Sequence, residues 1–243
     1  MDGEDPRASI DGGAAISGQL TLIGDTAAAA SSTPGFSVTP APRCEALVVT
    51  KLRAGLDAGL AANLAEIVQA AGAGRLGRPK YLVLDFAHAP DDAPGAFEPA
   101  ELAKDIADLV LRAPVVPVAF VRAPLSAADV ELALSCSLVI AQASATFDFD
   151  VDPLQAFELY ALVAQKIGFV RTERLMEQGR KPDAAEMKDL LLVHDVIAED
   201  GGLAPLEGLL ERHLRRHNSF HSIYRAQRMV ARPADPARLR PAS

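Results

Sequence analysis

The sequence predicts an α/β domain, and three observations carry that reading. Short β-branched or bulky apolar runs at 47–49, 81–85 and 115–121 alternate with helix-forming segments at 56–71 and about 100–111. Alternation of this kind builds a strand layer covered by helices. The chain has 243 residues, 49% hydrophobic and 23% charged, enough to bury one substantial core.

Taken in order, residues 1–42 are rich in Ala, Ser, Thr, Gly and Pro, with the low-complexity patch AAAASSTP at 27–34. They read as a flexible arm, in which only 19–23 (QLTLI) has strand character. The core, expected over 43–211, opens with the strand at 47–49. Residues 56–71 place Leu60, Leu64, Ile67 and Val68 on one helical face, and the GAGRLGRP linker at 72–79 ends that helix. The run 81–85 reads as a buried strand. The helix after it turns Leu102, Ile106, Leu109 and Val110 inward. Pro114 and Pro117 bracket the strand at 115–121, which is tolerable at strand edges.

A turn, a helix at 127–135 and an apolar run at 138–140 follow. Beyond Asp150 the chain is mostly helical. Residues 154–167 are apolar over much of their circumference, which predicts packing on two sides. A helix at 172–178 closes at Gly179, and another at 183–190 leads into a last strand at 191–197. A basic helix and tail occupy 212–243.

Charge and composition exclude several classes. A net charge of −8 argues against general nucleic-acid binding, which needs a basic surface to track phosphates. Cys44 and Cys136 have neither metal-site nor disulfide-framework spacing and read as reduced thiols. No stretch reaches about 18–20 uninterrupted apolar residues, and Asp2, Glu4 and Asp5 replace the basic start of a leader. The expectation is a soluble, cytoplasmic protein with no membrane contact. His213, His217 and His221 stand at helical spacing but among arginines, which disfavour a cation. Asp91–Asp92 and the Asp148, Asp150, Asp152 series lack the glycine turn and terminal glutamate of a calcium loop. No metal and no cofactor are expected.

The stretch 122–149, RAPLSAADVELALSCSLVIAQASATFDF, holds the pattern most open to a chemical reading. A short helix whose N-terminus abuts a strand end presents unpaired N–H groups and partial positive charge, where an anion or a developing oxyanion can sit. Ser126 and Asp129, three apart at the helix start, also read as a capping pair.

These residues carry a resemblance. Arg122 to Glu131, followed by LALSCSLVIAQASATF, is similar to the Asn-Gly-Pro-Ala-Leu-Gly-Gly-Gly-Leu-Glu segment and succeeding helix and strand of the enoyl-CoA hydratase/isomerase (crotonase) superfamily. Residues 81–86 resemble its Val-Val-Leu-Thr-Gly strand. PGAFEPAEL at 94–102 resembles the Phe-x-x-Gly-x-Asp-Leu loop that supplies the first oxyanion donor, and GRKPDAAEMKDLLLVHDVI resembles the later Gly-Arg turn, helix and strand. The Pro-Gly-x-Phe loop and Arg215-Arg216-His217-Asn218 look closest to the diffusible-signal-factor synthase branch. The likeness spans roughly 46–230. It implies the spiral of repeated ββα units, a homo-oligomer and an acyl thioester on coenzyme A or a carrier protein as ligand. It also implies a chain truncated at its C-terminal end relative to the family.

Carried across the motif, the resemblance implies Glu131 as general base or acid, the Ala128 and Ala100 amides as oxyanion donors, and Asp150 or Asp152 near the place of a second carboxylate. The departures are as informative. Ala127, Ala128 and Asp129 replace three glycines that let the backbone approach the thioester. Pro99, with no N–H, adjoins the other donor, and either it or Ala100 aligns with that position. Valine or a neighbouring aspartate replaces the second glutamate, although a two-carboxylate mechanism needs both groups about one water.

Two readings follow. One is a degenerate crotonase-fold protein serving as a binding or regulatory module, with a protein partner. The other is a hydratase, dehydratase or thioesterase using Glu131. The segment 212–243 carries eight arginines against Asp235 alone, leaving about −15 on the rest. It reads either as a site for coenzyme A phosphates or an acidic partner, or as a basic helix docked on the acidic body.

Overall fold

The computed structural model describes residues 31–33, 35–52, 58–87, 109–110, 115–150, 157–177, 179–199, 202–214, 222–223 and 226. Among them runs a seven-stranded sheet in sequential order: β1 (Ser31–Thr33), β2 (Phe36–Ala41), β3 (Ala46–Lys51), β4 (Tyr81–Phe86), β5 (Val116–Val121), β6 (Leu138–Gln142) and β7 (Asp195–Ile197). The first two ladders are antiparallel and the other four parallel. Among the described residues, six α-helices of at least six residues accompany them, besides a 3-10 turn at Pro42–Cys44: α1 (Ala58–Gly72), α2 (Ala127–Ser135), α3 (Phe157–Ile167), α4 (Phe169–Glu177), α5 (Ala184–Asp189) and α6 (Ala204–Leu214).

β3 through β6 are buried almost throughout, as expected for parallel strands covered on both faces. Strand alternation sorts their side chains. Leu47, Val49, Leu82, Leu84, Phe86, Ala119, Val121, Val139 and Ala141 join α1 to α5 in one core. Val48, Tyr81, Val83, Val118, Phe120, Leu138 and Ile140 meet Leu206, Leu209 and Leu210 of α6 in the other.

Several expectations meet the structure closely, and the helix at 127–135 coincides with α2 in its bounds. Others shift. The sheet begins at Ser31, inside the stretch read as an arm, because β2 finds a full antiparallel partner in β3. Pro117 sits inside a central strand rather than at its edge. Its missing N–H leaves no gap because the β5–β6 ladder starts one residue later, and its carbonyl accepts the Ser137 amide. The last strand is confined to Asp195–Ile197, since 190–194 is spent closing α5. α4 starts at Phe169, three residues early. Gly168, at φ 84°, breaks α3 from α4 with a left-handed residue that costs glycine little. The strand expected at 19–23 lies outside the described residues, as does the helix at 100–111 apart from Leu109 and Val110. No helix among the described residues is long and apolar enough to cross a membrane.

Candidate functional site

The C-terminal ends of β3, β4 and β5 converge beside the start of α2, the place where parallel α/β sheets expose their binding crevices. α2 starts there because Ser126 caps it. The Asp129 amide donates to Ser126 Oγ at 3.4 Å, and the Ser126 hydroxyl donates to Asp129 Oδ2 at 3.1 Å. The Val130 amide donates to the Ser126 carbonyl, so the Ala127 and Ala128 amides precede the helix's own ladder. The far end of α2 is tied down by Lys166, whose Nζ donates to the Leu134 carbonyl at 2.8 Å.

Under this helix start lies a buried ion pair. Lys51 Nζ stands 3.0 Å from Asp129 Oδ1, with side chains 2% and 0% exposed. Lys51 occupies the inward phase of β3 after Leu47 and Val49, and its register neighbours Phe86 and Val121 fill the same face of β4 and β5. On the opposite face, Asp85 is fully buried and held by Arg122 and Thr50. The strand ends therefore carry one charge cluster on each side of the sheet.

The structure places the expected site residues unequally. Glu131 lies in the middle of α2, 9% exposed, and its carbonyl accepts the Ser135 hydroxyl at 2.8 Å. Ala128 is half-buried in the first turn. Asp150 is brought to the same region, because Phe147 bridges Leu125 and the Asp148 amide donates to the Leu125 carbonyl. The Asp150 side chain is exposed, however. Its Oδ1 lies 3.5 Å from where a Cβ on Gly179 would stand, while Asp148 accepts the Asp150 amide and pairs with Lys181. Ala100 and Asp152 lie outside the described residues. Among the described residues, no group of three or more His, Cys, Asp or Glu is arranged to hold a metal ion.

Lys51 lay outside the motif reading, and Asp85 and Arg122, although inside the segments that carry the resemblance, were not singled out there. A signal exists for the first: a lysine on the inward phase of an apolar strand requires a counter-ion within reach. The same holds for Asp85, which closes the run YLVLD.

A largely parallel sheet with a helix start at its strand ends is the architecture, and comparison with solved structures places the fold. It is that of enoyl-CoA hydratase/isomerase structures. An enoyl-CoA hydratase/isomerase from Marinobacter aquaeolei superposes with a TM-score of 0.62 at 19% identity, covering 84% of this chain and 87% of that one. An enoyl-CoA hydratase/carnithine racemase from Magnetospirillum magneticum gives 0.64 at 20%, over 81% and 82%. A monofunctional enoyl CoA isomerase from M. smegmatis gives 0.63 at 18%, over 82% and 95%. No protein-family model and no curated protein matches the sequence.

Proposed function

We propose that this is a crotonase-fold protein whose thioester seat has closed, leaving a non-catalytic or weakly active binding or regulatory module derived from an acyl-CoA enzyme. One observation carries the reading: the Lys51–Asp129 pair, at 3.0 Å and shielded from solvent, puts a buried carboxylate in the first turn of α2, the segment to which the family resemblance gives the thioester oxygen. A helix start attracts an anion through its free amides and dipole, and here the chain's own carboxylate answers that attraction. Removing a single oxyanion donor costs about 10²–10³ in rate. Two methyls, a carboxylate and a buried ammonium change the surroundings more deeply than one lost donor.

The second reading keeps an enzyme, and the burial of Glu131 on α2 favours it. In that case Glu131 acts as general acid or base in hydration, dehydration or hydrolysis of an acyl-CoA or acyl-carrier thioester. The Ala128 and Ala100 amides then form a reduced oxyanion hole, and Asp150 or Asp152 contributes to the substrate side. Within the superfamily, the 94–97 loop and Arg215–Asn218 support placement near the diffusible-signal-factor synthases. A homo-oligomer and a cytoplasmic setting belong to the same proposal.

Calorimetry with a panel of acyl-CoA esters and free coenzyme A decides between the two, with Glu131→Ala followed in parallel under turnover conditions. The binding-module reading expects no turnover. Turnover that disappears in Glu131→Ala overturns it in favour of the enzyme.

A further inference from the structure

We propose that Asp129 is a built-in stand-in for a ligand anion, an autoinhibitory contact in which its carboxylate occupies and closes a seat formed by Lys51 and the first turn of α2. The inference rests on the non-catalytic reading above and extends it from altered residues to one removable contact.

The argument is electrostatic. Lys51 carries an ammonium onto the inward phase of a strand whose other residues on that face are Leu47 and Val49, next to Phe86 and Val121. An apolar side chain of similar volume packs such a position with no charge to desolvate. The direction of the lysine is also unfavourable by itself. It reaches toward the start of a helix, the end that carries partial positive charge. A cation and a helix start face each other stably only across an anion, and Asp129 Oδ1 is found beside that cation, 3.0 Å from Nζ. The Ser126 hydroxyl donates to the other carboxylate oxygen at 3.1 Å. Ammonium, hydroxyl and helix start thus form a receptor for a carboxylate-like group, and the chain fills it with its own side chain.

If the carboxylate is a stand-in, a free anion of the same chemistry takes its place once the side chain is removed. The test is rescue of Asp129→Gly by formate, with unfolding in urea followed in formate and in chloride at equal ionic strength. The variant should lose stability in chloride. Formate should return its midpoint toward that of the unmodified protein in a concentration-dependent way, as binding to the folded state alone requires. The unmodified protein and the double variant Lys51→Met/Asp129→Gly should respond equally to the two salts.

Equal response of Asp129→Gly to formate and chloride overturns the proposal, as does rescue that persists without Lys51. If Asp129→Gly does not fold in chloride, its refolding yield in formate is read instead, and no recovery is likewise a refutation. Failure of the non-catalytic reading appears elsewhere, as turnover by the unmodified protein.

Discussion

Arg122 closes on both carboxylate oxygens of Asp85, with Nε 2.7 Å from Oδ1 and Nη2 2.6 Å from Oδ2. Asp85 has no solvent exposure, Arg122 is 27% exposed, and the Thr50 hydroxyl donates to Oδ2 at 2.9 Å. The guanidinium also lies 5.6 Å from the centre of the Phe120 ring. Three adjacent strand ends are thereby stitched together on the face opposite α2. Truncating the arginine leaves a carboxylate buried with the hydroxyl of Thr50 as its remaining polar contact in this cluster. Arg122→Met should cost about 3–5 kcal/mol in urea unfolding. Arg122→Met/Asp85→Leu should cost clearly less than the sum of the single changes. Additive losses refute the coupling.

Leu191 stands at φ 62° and is 76% exposed. It follows Leu190, the C-cap of α5, in a Schellman closure: its amide donates to the Lys188 carbonyl, and the Leu192 amide to that of Met187. Leu192 is the buried hydrophobic partner of this turn. A branched side chain in the left-handed region is strained, and glycine removes the strain at some cost in unfolded-chain entropy. Leu191→Gly should therefore stabilise the protein by about 0.5–1 kcal/mol. A lower melting temperature than that of the parent counts against this account.

The two thiols should be silent in the folded state. Burial pushes the Cys136 thiol up to about 12, and burial followed by the Glu207 carboxylate raises that of Cys44. Each donates to a carbonyl three or four residues earlier, Cys44 to Ala41 and Cys136 to Leu132. The thiolate is the reactive species. Iodoacetamide at pH 8 should leave both unmodified under native conditions and label both in urea, as read by intact mass. Native labelling of Cys136 contradicts its burial.

His194 makes stability depend on acid. Its Nδ1 accepts the Val139 amide at 3.1 Å, so the imidazole must be neutral at that nitrogen. Burial first, then the Lys166 and His213 charges, lower its pKa from 6.5 to about 4. Because the folded value is depressed, the unfolded chain binds the proton first as pH falls. The contribution is complete above about pH 6.5 and is lost progressively toward pH 4. His194 is itself exposed at the surface, which screens the effect and reduces its size. Urea midpoints measured across this window should fall less steeply in His194→Gln than in the parent, and identical slopes exclude the assignment.

Much of the fold was legible in the chain because its signals are local. The 115–121 run, the Ser126 cap and the helix at 127–135 depend on residues a few positions apart, and the structure realises them with nearly those bounds. Asp183 and Glu186 form a reciprocal capping box at the start of α5 for the same reason. Signals failed where a partner outside the window decides the outcome. β2 becomes a strand by pairing with β3. Pro117 is tolerated in a central strand because the neighbouring ladder begins one residue later.

The candidate site divides in the same way. Its helix start, its capping serine and the carboxylates of Asp129 and Glu131 stand in one short motif, so residue types and spacing alone marked them out. What the carboxylate of Asp129 faces was decided by tertiary structure. The parallel pairing of β3, β4 and β5 carries Lys51 from a distant part of the chain beneath α2, and places Asp85 against Arg122 on the other side of the sheet. Periodicity determines that a residue turns inward, since it follows from backbone geometry. Which charge it meets there depends on the order and register of strands, and burial makes that pairing energetically compulsory.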